Sequence, residues 1–237
     1  MRTTRLLCLG LTLLALLATG GCAHLPPDDP SDPLETVNRG VFKFNRTADK
    51  YVLRPVAKTY RNYVPGEIRT GVRNVLNNFF YPTVIINDLL QGKFVQGGKD
   101  LGRFTLNTTV GLLGIMDVAT PLGLPANDED LGQTFGYWGA GEGWYLMLPF
   151  LGPSNGRDIF GTAGDTFTSP TGYMDTYPAV AVKGVDVVDG RSRLLDADKF
   201  LDEQFDPYIF LRTTYLQQRQ NLVFDGNPPK VEFDFDE

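Results

Sequence analysis

Histidine and cysteine are almost absent from this sequence. The only histidine is His24, and the only cysteines are Cys8 and Cys22. The body of the chain therefore has no histidine for a Ser-His-Asp or Cys-His site, or for a metal site that uses histidine. If Cys8 is removed with a leader, no disulfide can form within the remaining chain.

Positive charge and long apolar runs are also scarce. The chain has 22 basic and 28 acidic residues, for a formal charge of −6, and loss of a leader that carries Arg2 and Arg5 would change this to −8. Nucleic-acid binding has no global electrostatic support at such a charge, and we expect no nucleic-acid partner. No Pro- or Ser-rich linker divides the 237 residues, which favours one domain.

The first residues have the layout of a secretory leader. Residues 1–21 combine a basic start, an apolar run over 6–18 and two small residues, Gly20 and Gly21, before Cys22. We expect residues 1–21 to be a lipoprotein signal peptide and 22–31 a lipidated N-terminus and tether, with Cys22 carrying acyl chains such as palmitate. Thr19 departs from the usual leucine of the processing motif, and the alternative is a leader with an incidental cysteine.

Helix signals begin at residue 32. Asp32-Pro33-Leu34-Glu35 predicts a helix with Asp32 as its N-cap, and Pro55, Pro65 and Pro82 are expected to separate the helices that follow. The third of these, over 83–90, is nearly all apolar and stops at Gly92. In the first helix an apolar stripe is predicted to face a core, and it consists of Leu34, Val37, Val41, Phe44 and Ala48.

The stretch 101–124 is apolar but interrupted. Its charged residues are Arg103 and Asp117, and four glycines divide it. It has no uninterrupted run of about 18 apolar residues and is therefore not a membrane-spanning helix. Two short helices with a turn near Gly111 and Gly114 are predicted, and this hairpin could lie either in a membrane interface or in a protein core.

Residues 128–158 hold both tryptophans and many glycines. We predict a loop shaped by its glycine backbone, a short strand over 144–148, a turn at Gly152-Pro153-Ser154, and Asp158 as the N-cap of the next helix. The loop is either a buried crossing of a helical core or a wall of the functional site.

Three helices are predicted in the C-terminal part, over 159–167, from Pro178, and over 208–222 after Asp206-Pro207. Lys183 is the first cation of the second helix, and it either extends to water or meets an anionic lipid headgroup. Residues 32–226 are expected to form the helical domain, and 227–237 an acidic, mobile tail.

An enzyme built from this chain would depend on carboxylates. Asp128, Glu129, Asp130 and Glu142 surround the glycine-rich segment and could act as an acid/base pair on a glycan. Ser154 lacks both the G-x-S-x-G elbow and a histidine base. A lipid-anchored hydrolase therefore stays a minor alternative, beside a purely structural tether that binds a porin.

Three blocks of the sequence resemble the MlaA/VacJ family of outer-membrane lipoproteins. The central block contains 131–136 (LGQTFG), 143–146 (GWYL), 148–150 (LPF), 152–154 (GPS) and Arg157-Asp158. The first block comprises 31–35 (SDPLE), Asn38-Arg39, Phe42 and Phe44-Asn45, and the third comprises 194–196 (LLD) and 206–208 (DPY). The resemblance extends from Cys22 to about Leu222, in the order of the family and without a large gap.

This resemblance implies a mainly α fold: a single compact, ring-like domain of amphipathic helices with Gly-rich loops and little β structure. It implies a non-enzymatic channel, without metal or cofactor, in the outer membrane of a Gram-negative bacterium. In this family the channel takes glycerophospholipids misplaced in the outer leaflet and passes them to a soluble periplasmic lipid carrier, which feeds an inner-membrane ABC transporter. Members also associate with trimeric porins. The expected site residues are Cys22 as the anchor, Lys183 in the channel wall, and Asn45, Arg103 and Asn107 as further lining candidates.

Overall fold

The computed structural model describes residues 32–229, so the predicted leader, Cys22 and most of the acidic tail lie outside the described residues. The described chain is mainly helical with one small sheet, which confirms the predicted fold class. Its helices are α1 (Glu35–Ala48), α2 (Arg54–Tyr63), α3 (Gly66–Leu90), α4 (Phe94–Thr109), α5 (Leu131–Tyr137), α6 (Gly156–Thr168), α7 (Thr176–Arg193), α8 (Ala197–Asp202) and α9 (Pro207–Val223). Strands β1 (Tyr145–Leu148) and β2 (Gly152–Asn155) form an antiparallel hairpin.

Two prolines interrupt the helices less than predicted. A π-helical turn, Asp49–Leu53, joins α1 directly to α2, and Pro55 lies just after it. The wider turn suits a residue that cannot donate a backbone N–H, so Pro55 marks a π turn and not a gap. Pro82 lies inside the 25-residue α3, which runs without a break to Leu90. The predicted stop at Gly92 is confirmed, because Gly92 has a φ of +74° directly after the helix.

The predicted N-cap role of Asp32 is wrong. Leu34 occupies the N-cap position of α1, and the buried Asp32 carboxylate accepts hydrogen bonds from Asn38 Nδ2 (2.7 Å), Arg212 (3.0 Å) and the Tyr208 hydroxyl. Those partners come from α1 and α9, so Asp32 ties the two ends of the fold together. A buried carboxylate with such partners is satisfied better than it would be at a solvated helix end.

The second helix expected after Gly111 is not formed. After α4 the chain makes a tight turn through residues 110–116 and then only a 3₁₀ helix, Thr120–Leu122. Leu112, Leu113 and Gly114 all have positive φ, at 53°, 59° and 90°. Left-handed backbone is disfavoured for leucine, and it turns the chain back before a second helix can begin.

The glycine-rich central segment has more regular structure than predicted. Residues 131–137 form α5, capped by Asp130, whose side chain accepts from Gln133 N. The predicted strand is confirmed as β1, but the predicted turn at 152–154 is part of β2. The predicted N-cap of α6 is also wrong, because Asn155 caps that helix by accepting from Asp158 N at 2.7 Å. Asp158 is used instead in the ion pair with Arg219.

The packed elements close a circuit. Helix α1 packs on β1, β2 packs on α9, α9 on α5, α5 on α3, α3 on α7, and α7 on α2, which returns to α1 through the π turn. Ion pairs reinforce this closure: Arg191 of α7 binds Asp49 at 2.6 Å, and Arg39 of α1 binds Asp206 at 2.8 Å. The predicted ring-like arrangement of amphipathic helices follows from these contacts.

Burial in this ring is the reverse of that in a water-soluble core. On α1 much of the apolar stripe is exposed, with Val37 at 61% and Phe44 at 48%, whereas Asn38 is 2% exposed. The core position predicted for this stripe is wrong for Leu34, Val37 and Phe44, but Val41 does pack against the buried cluster of Tyr145, Met147 and Tyr208. Among residues 32–229, buried polar side chains outnumber buried apolar ones, and large apolar side chains are exposed on nearly every helix. Such surfaces mark contact with a partner or a membrane. None of the described helices is both long and apolar enough to cross a bilayer.

Candidate functional site

Three cavities with polar and charged side chains in their walls follow helix α3 and continue past its C-terminal end. The central cavity, whose wall includes Asn78 and Arg103, has a volume of about 580 Å³. The arginine groove, named for Arg69 and Arg73, has about 590 Å³, and the lysine cavity, named for Lys93, has about 550 Å³. Asn74 lines both the arginine groove and the central cavity, and Asn127 lines both the central cavity and the lysine cavity. The three cavities are therefore neighbours in one row.

Helix α3 supplies polar side chains to this row at helical spacing. Asn74, Asn77, Asn78 and Tyr81 line the central cavity, and Arg69 and Arg73 line the arginine groove. Residues three or four apart share one face of a helix, so an asparagine-rich face of α3 points into the cavity. This face was not predicted from the sequence, although the helical spacing of Asn74, Asn77 and Asn78 is visible there.

Arg103 and Asn107 lie in the wall of the central cavity, where they fasten the turn after α4. Arg103 donates to Asp117 (2.8 Å), Thr120 Oγ1 (2.7 Å) and the carbonyl of Leu124 (2.6 Å). Asn107 accepts from the backbone N–H groups of Val118 and Ala119 at 2.9 and 3.0 Å. Both residues therefore line the cavity, and most of their hydrogen-bonding capacity is already used.

Asp117 is the carboxylate at the centre of this arrangement. Burial opposes its ionisation, but hydrogen bonds from Arg103, Thr120 and Asn107 outweigh that effect and hold the pKa of Asp117 at about 2. The central cavity therefore has a fixed ion pair in its wall at neutral pH.

Two carboxyl groups, Asp88 on α3 and Asp100 on α4, are buried behind the central cavity. They are 0% and 1% exposed, and the Asn127 amide lies 3.4 Å from an oxygen of each. Tyr81 donates its hydroxyl to Asp100 at 2.6 Å. Burial, followed by the hydrogen bond and charge of Asp100, raises the pKa of Asp88 to about 8. This polar contact joins α3 to α4.

The lysine cavity contains one of the predicted carboxylates. Lys93 donates to Glu129 at 2.8 Å and to Asp225 at 2.5 Å, and Gln91 donates to Glu129 at 2.7 Å. Burial raises the pKa of Glu129, although the bonds from Lys93 and Gln91 oppose that rise. The side chain of Glu129 is buried and fully engaged.

The other carboxylates proposed for hydrolysis have different contacts and do not form an acid/base pair. Asp130 caps α5 and accepts two bonds from Arg219, at 2.6 and 2.9 Å. Burial disfavours the Asp130 anion, but Arg219 outweighs burial and lowers the pKa of Asp130. Asp128 lines the central cavity, where burial and the charge of Asp130 raise its pKa. Glu142 contributes its backbone carbonyl to Arg157 N, and Ser154 is buried in β2. Asp130 is thus a structural anion and not a proton donor.

Lys183 and Asn45 lie outside the lining of the three cavities. Lys183 is exposed on α7, three residues before Asp186, which lines the central cavity. Asn45 accepts from Phe150 N at 2.8 Å and donates to the carbonyl of Leu148 at 2.9 Å. Asn45 thereby holds the tip of the β hairpin, and Phe44 packs edge-on against Phe150 beside it. Cys22 lies outside the described residues.

The row of cavities can accommodate a polar or anionic group. Guanidinium and ammonium groups line it at Arg69, Arg73, Arg103 and Lys93, among amide side chains. Within residues 32–229 no group of three or more histidine, cysteine, aspartate or glutamate residues could hold a metal ion.

Known proteins with related sequences give a consistent result. A family model described as "MlaA lipoprotein" matches residues 30–222. The "Intermembrane phospholipid transport system lipoprotein MlaA" of Escherichia coli (strain K12) is 37% identical over 232 residues, covering 95% of this chain and 90% of the relative. The protein of the same name in Haemophilus influenzae is 35% identical over 224 residues, covering 90% and 89%.

A solved structure has the same fold. It is described as "Structural basis for maintenance of bacterial outer membrane lipid asymmetry", and it superposes with a TM-score of 0.75 at 36% identity. The match covers 81% of this chain and 99% of the solved one.

Proposed function

Because this chain belongs to the MlaA lipoprotein family, we propose that it is an outer-membrane lipoprotein that transports phospholipids across the membrane interface and maintains lipid asymmetry. The family assignment rests on a family model that covers most of the chain and on relatives at 35–37% identity. The protein works without breaking a bond: it offers a glycerophospholipid an apolar exterior beside a polar interior.

The reversed burial is the observation that carries this proposal. A ring with apolar side chains outside and polar side chains inside is unfavourable in water but is suited to a bilayer. The exposed apolar residues include Val37, Phe44, Leu113, Phe150 and Leu151. Embedding the body from the periplasmic side would remove these side chains from water at about 25 cal/mol per Å² of apolar area.

The polar interior supplies a route for the headgroup. In our proposal the phosphate moves along the row of cavities on α3, while the acyl chains stay in contact with apolar surface. Arg69 and Arg73 add positive potential for an anionic phosphate in the arginine groove. Farther along the row, Arg103 is paired with Asp117, and Lys93 with Glu129 and Asp225, so these side chains offer polar contacts without a net positive charge. Lys183 would contribute at the exposed end of α7, and Asn45 would act through the hairpin that it holds.

The family resemblance supports a proposal for the partners and the direction of transport. We propose that acyl groups at Cys22 anchor the chain and that a trimeric porin holds it in the outer membrane. Phospholipids taken from the outer leaflet then pass to a soluble periplasmic carrier and onward to an inner-membrane ABC transporter.

Flotation tests the membrane part of this proposal. The unacylated chain from Ala23 to Glu237 is mixed with protein-free liposomes of bacterial phospholipids and centrifuged through a density gradient. We expect the folded chain to rise with the lipid, because the body itself is apolar outside. A chain that is folded by circular dichroism but stays at the bottom would contradict embedding by the body.

A further inference from the structure

The arginine groove has one cationic wall and one apolar wall. Arg69 and Arg73 lie one helical turn apart on α3, and Ile115 and Met116 come from the tight turn after α4. We propose that this groove is a specific binding site for one glycerophospholipid, with its phosphodiester on the two guanidinium groups and an acyl chain along the apolar wall. The site rests on the proposed function and identifies where in the row of cavities the lipid is held.

The guanidinium groups of Arg69 and Arg73 have N–H donors that are available for further hydrogen bonds. Within residues 32–229, Arg69 uses only its Nε, which donates to the carbonyl of Val64 at 3.1 Å, and Arg73 uses only its Nε, which binds Asp189 at 3.2 Å. The terminal nitrogens of both side chains remain for a ligand. A guanidinium with two free N–H donors on one edge matches a phosphate oxygen pair.

The local charge balance favours a monoanion. Asp189 is buried and shared by Arg73, Arg193 (3.4 Å) and the hydroxyl of Tyr60 (3.3 Å). The lining of the groove includes one carboxylate, Glu67. The lining of the groove thus has two arginines against one carboxylate, a formal charge of +1, and a phosphodiester of charge −1 would balance it.

The apolar wall distinguishes a lipid from free phosphate. Ile115 and Met116 are 51% and 47% exposed, and Leu112 and Leu113 extend the same turn outward. Inorganic phosphate gains nothing from these side chains, whereas each methylene of an acyl chain that is buried against them strengthens binding. Asn74 in turn connects the groove to the central cavity, so a headgroup held here lies at one end of the polar row.

Two variants and one control probe this site in the full-length, acylated protein. Arg69→Gln with Arg73→Gln removes the charges. Gly71→Leu keeps both guanidinium groups but fills the groove: a Cβ at Gly71 would lie 3.5 Å from Ile115 Cγ2, an ordinary contact, and the rest of the side chain would occupy the open space. Arg61→Gln is the matched control, because Arg61 forms an ion pair with the exposed Asp196 on a different helix.

The measurement is photo-crosslinking by a phospholipid that carries a diazirine in its acyl chain, followed by peptide mapping. We expect adducts on the peptide that contains Ile115 and Met116. They should fall roughly tenfold in both groove variants, since one or two charge-assisted hydrogen bonds or the space itself are lost, and should be unchanged in Arg61→Gln. Thermal unfolding in detergent establishes that each variant is folded.

Each other outcome overturns a specific statement. Adducts elsewhere on the chain but equal at this peptide in all variants would reject the groove and leave phospholipid transport intact. Displacement of the adducts by millimolar inorganic phosphate, with equal phosphate binding in the absence of lipid, would make this a phosphate site and reject the lipid. No adduct anywhere and no co-purifying phospholipid would reject the proposed function itself.

Discussion

At the scale of single residues, the buried pair Asp88 and Asp100 combines two acidic groups in one contact between α3 and α4. One Asn127 amide serves both, and one oxygen of Asp88 has no partner in the described part of the chain. Two adjacent buried carboxylates cannot both ionise cheaply, so Asp88 retains its proton. Glu129 adds to this effect and Lys93 opposes it.

The Asp88 proton makes stability depend on pH. In the unfolded chain Asp88 ionises near its ordinary pKa of 3.8, and in the folded chain near 8. Between these values the folded state binds the extra proton, so the free energy of unfolding falls as pH rises through this window. An asparagine amide can donate to Asp100 as the protonated acid does. Asp88→Asn should therefore gain stability relative to the parent chain from pH 5 to pH 8, on the order of 4 kcal/mol.

Chemical denaturation at pH 5 and pH 8 in the same detergent checks this prediction. The difference between variant and parent is the quantity of interest, because every other titrating group contributes to both. Parallel stability curves across the pH range would show that Asp88 ionises normally in the folded chain.

At the scale of elements, the glycines of α5 and α6 permit unusually close packing of two helices. A Cβ on Gly161 would lie 2.6 Å from the Cα of Gly132. Neither backbone can yield without moving a helix, because Asp130 and Asn155 fix the start of each. The close approach also brings Asp158 to Arg219 of α9.

Gly161→Ala should therefore lower the free energy of unfolding by about 1–3 kcal/mol, the usual cost of overpacking. The matched control is Gly98→Ala in α4, where a Cβ would meet nothing within 4 Å. Alanine there should be neutral or stabilising by up to about 1 kcal/mol, since it improves helix propensity. Equal effects of the two substitutions would contradict the packing described for α5 and α6.

The sequence predicted those elements whose signals are local. Asp206-Pro207 marked the start of α9, and Gly92 the end of α3, because caps and breakers act within one turn. It did not predict α5 as a helix: Gly132 and Gly136 look like loop residues until their packing partners, Asp158 and Arg157, are known. Likewise Asp32 and Asp158 are capping residues by local pattern, and only α9 converts them into ion-pair partners.

The candidate site was predicted less well than the fold. Arg103 and Asn107 were named, and they line the central cavity, but the arginine groove was not recognised. An amphipathic stripe shows that two faces differ and leaves open which face is inside. On α1, Leu34, Val37 and Phe44 of the stripe predicted as core are exposed, because the buried side of the helix in this ring is largely polar.

At the scale of the whole molecule, structural stability and membrane association can be separated. Polar networks such as Arg191 with Asp49 hold the ring together from within, while the exposed apolar side chains contribute little to that packing. The turn after α4 isolates the two effects most clearly. Leu112 and Leu113 are 60% and 73% exposed, and both adopt left-handed backbone that leucine disfavours.

Replacing both leucines by asparagine should therefore change the two properties in opposite directions. Asparagine tolerates the left-handed region, so Leu112→Asn with Leu113→Asn should leave the unfolding temperature in detergent unchanged or raise it slightly. The same change removes two large apolar side chains from the exposed exterior, and if this surface enters the bilayer as proposed, liposome binding of the unacylated chain should fall roughly tenfold or more. Undiminished flotation would place this turn away from the bilayer, whereas a lower unfolding temperature would mean that the leucines belong to the packed body.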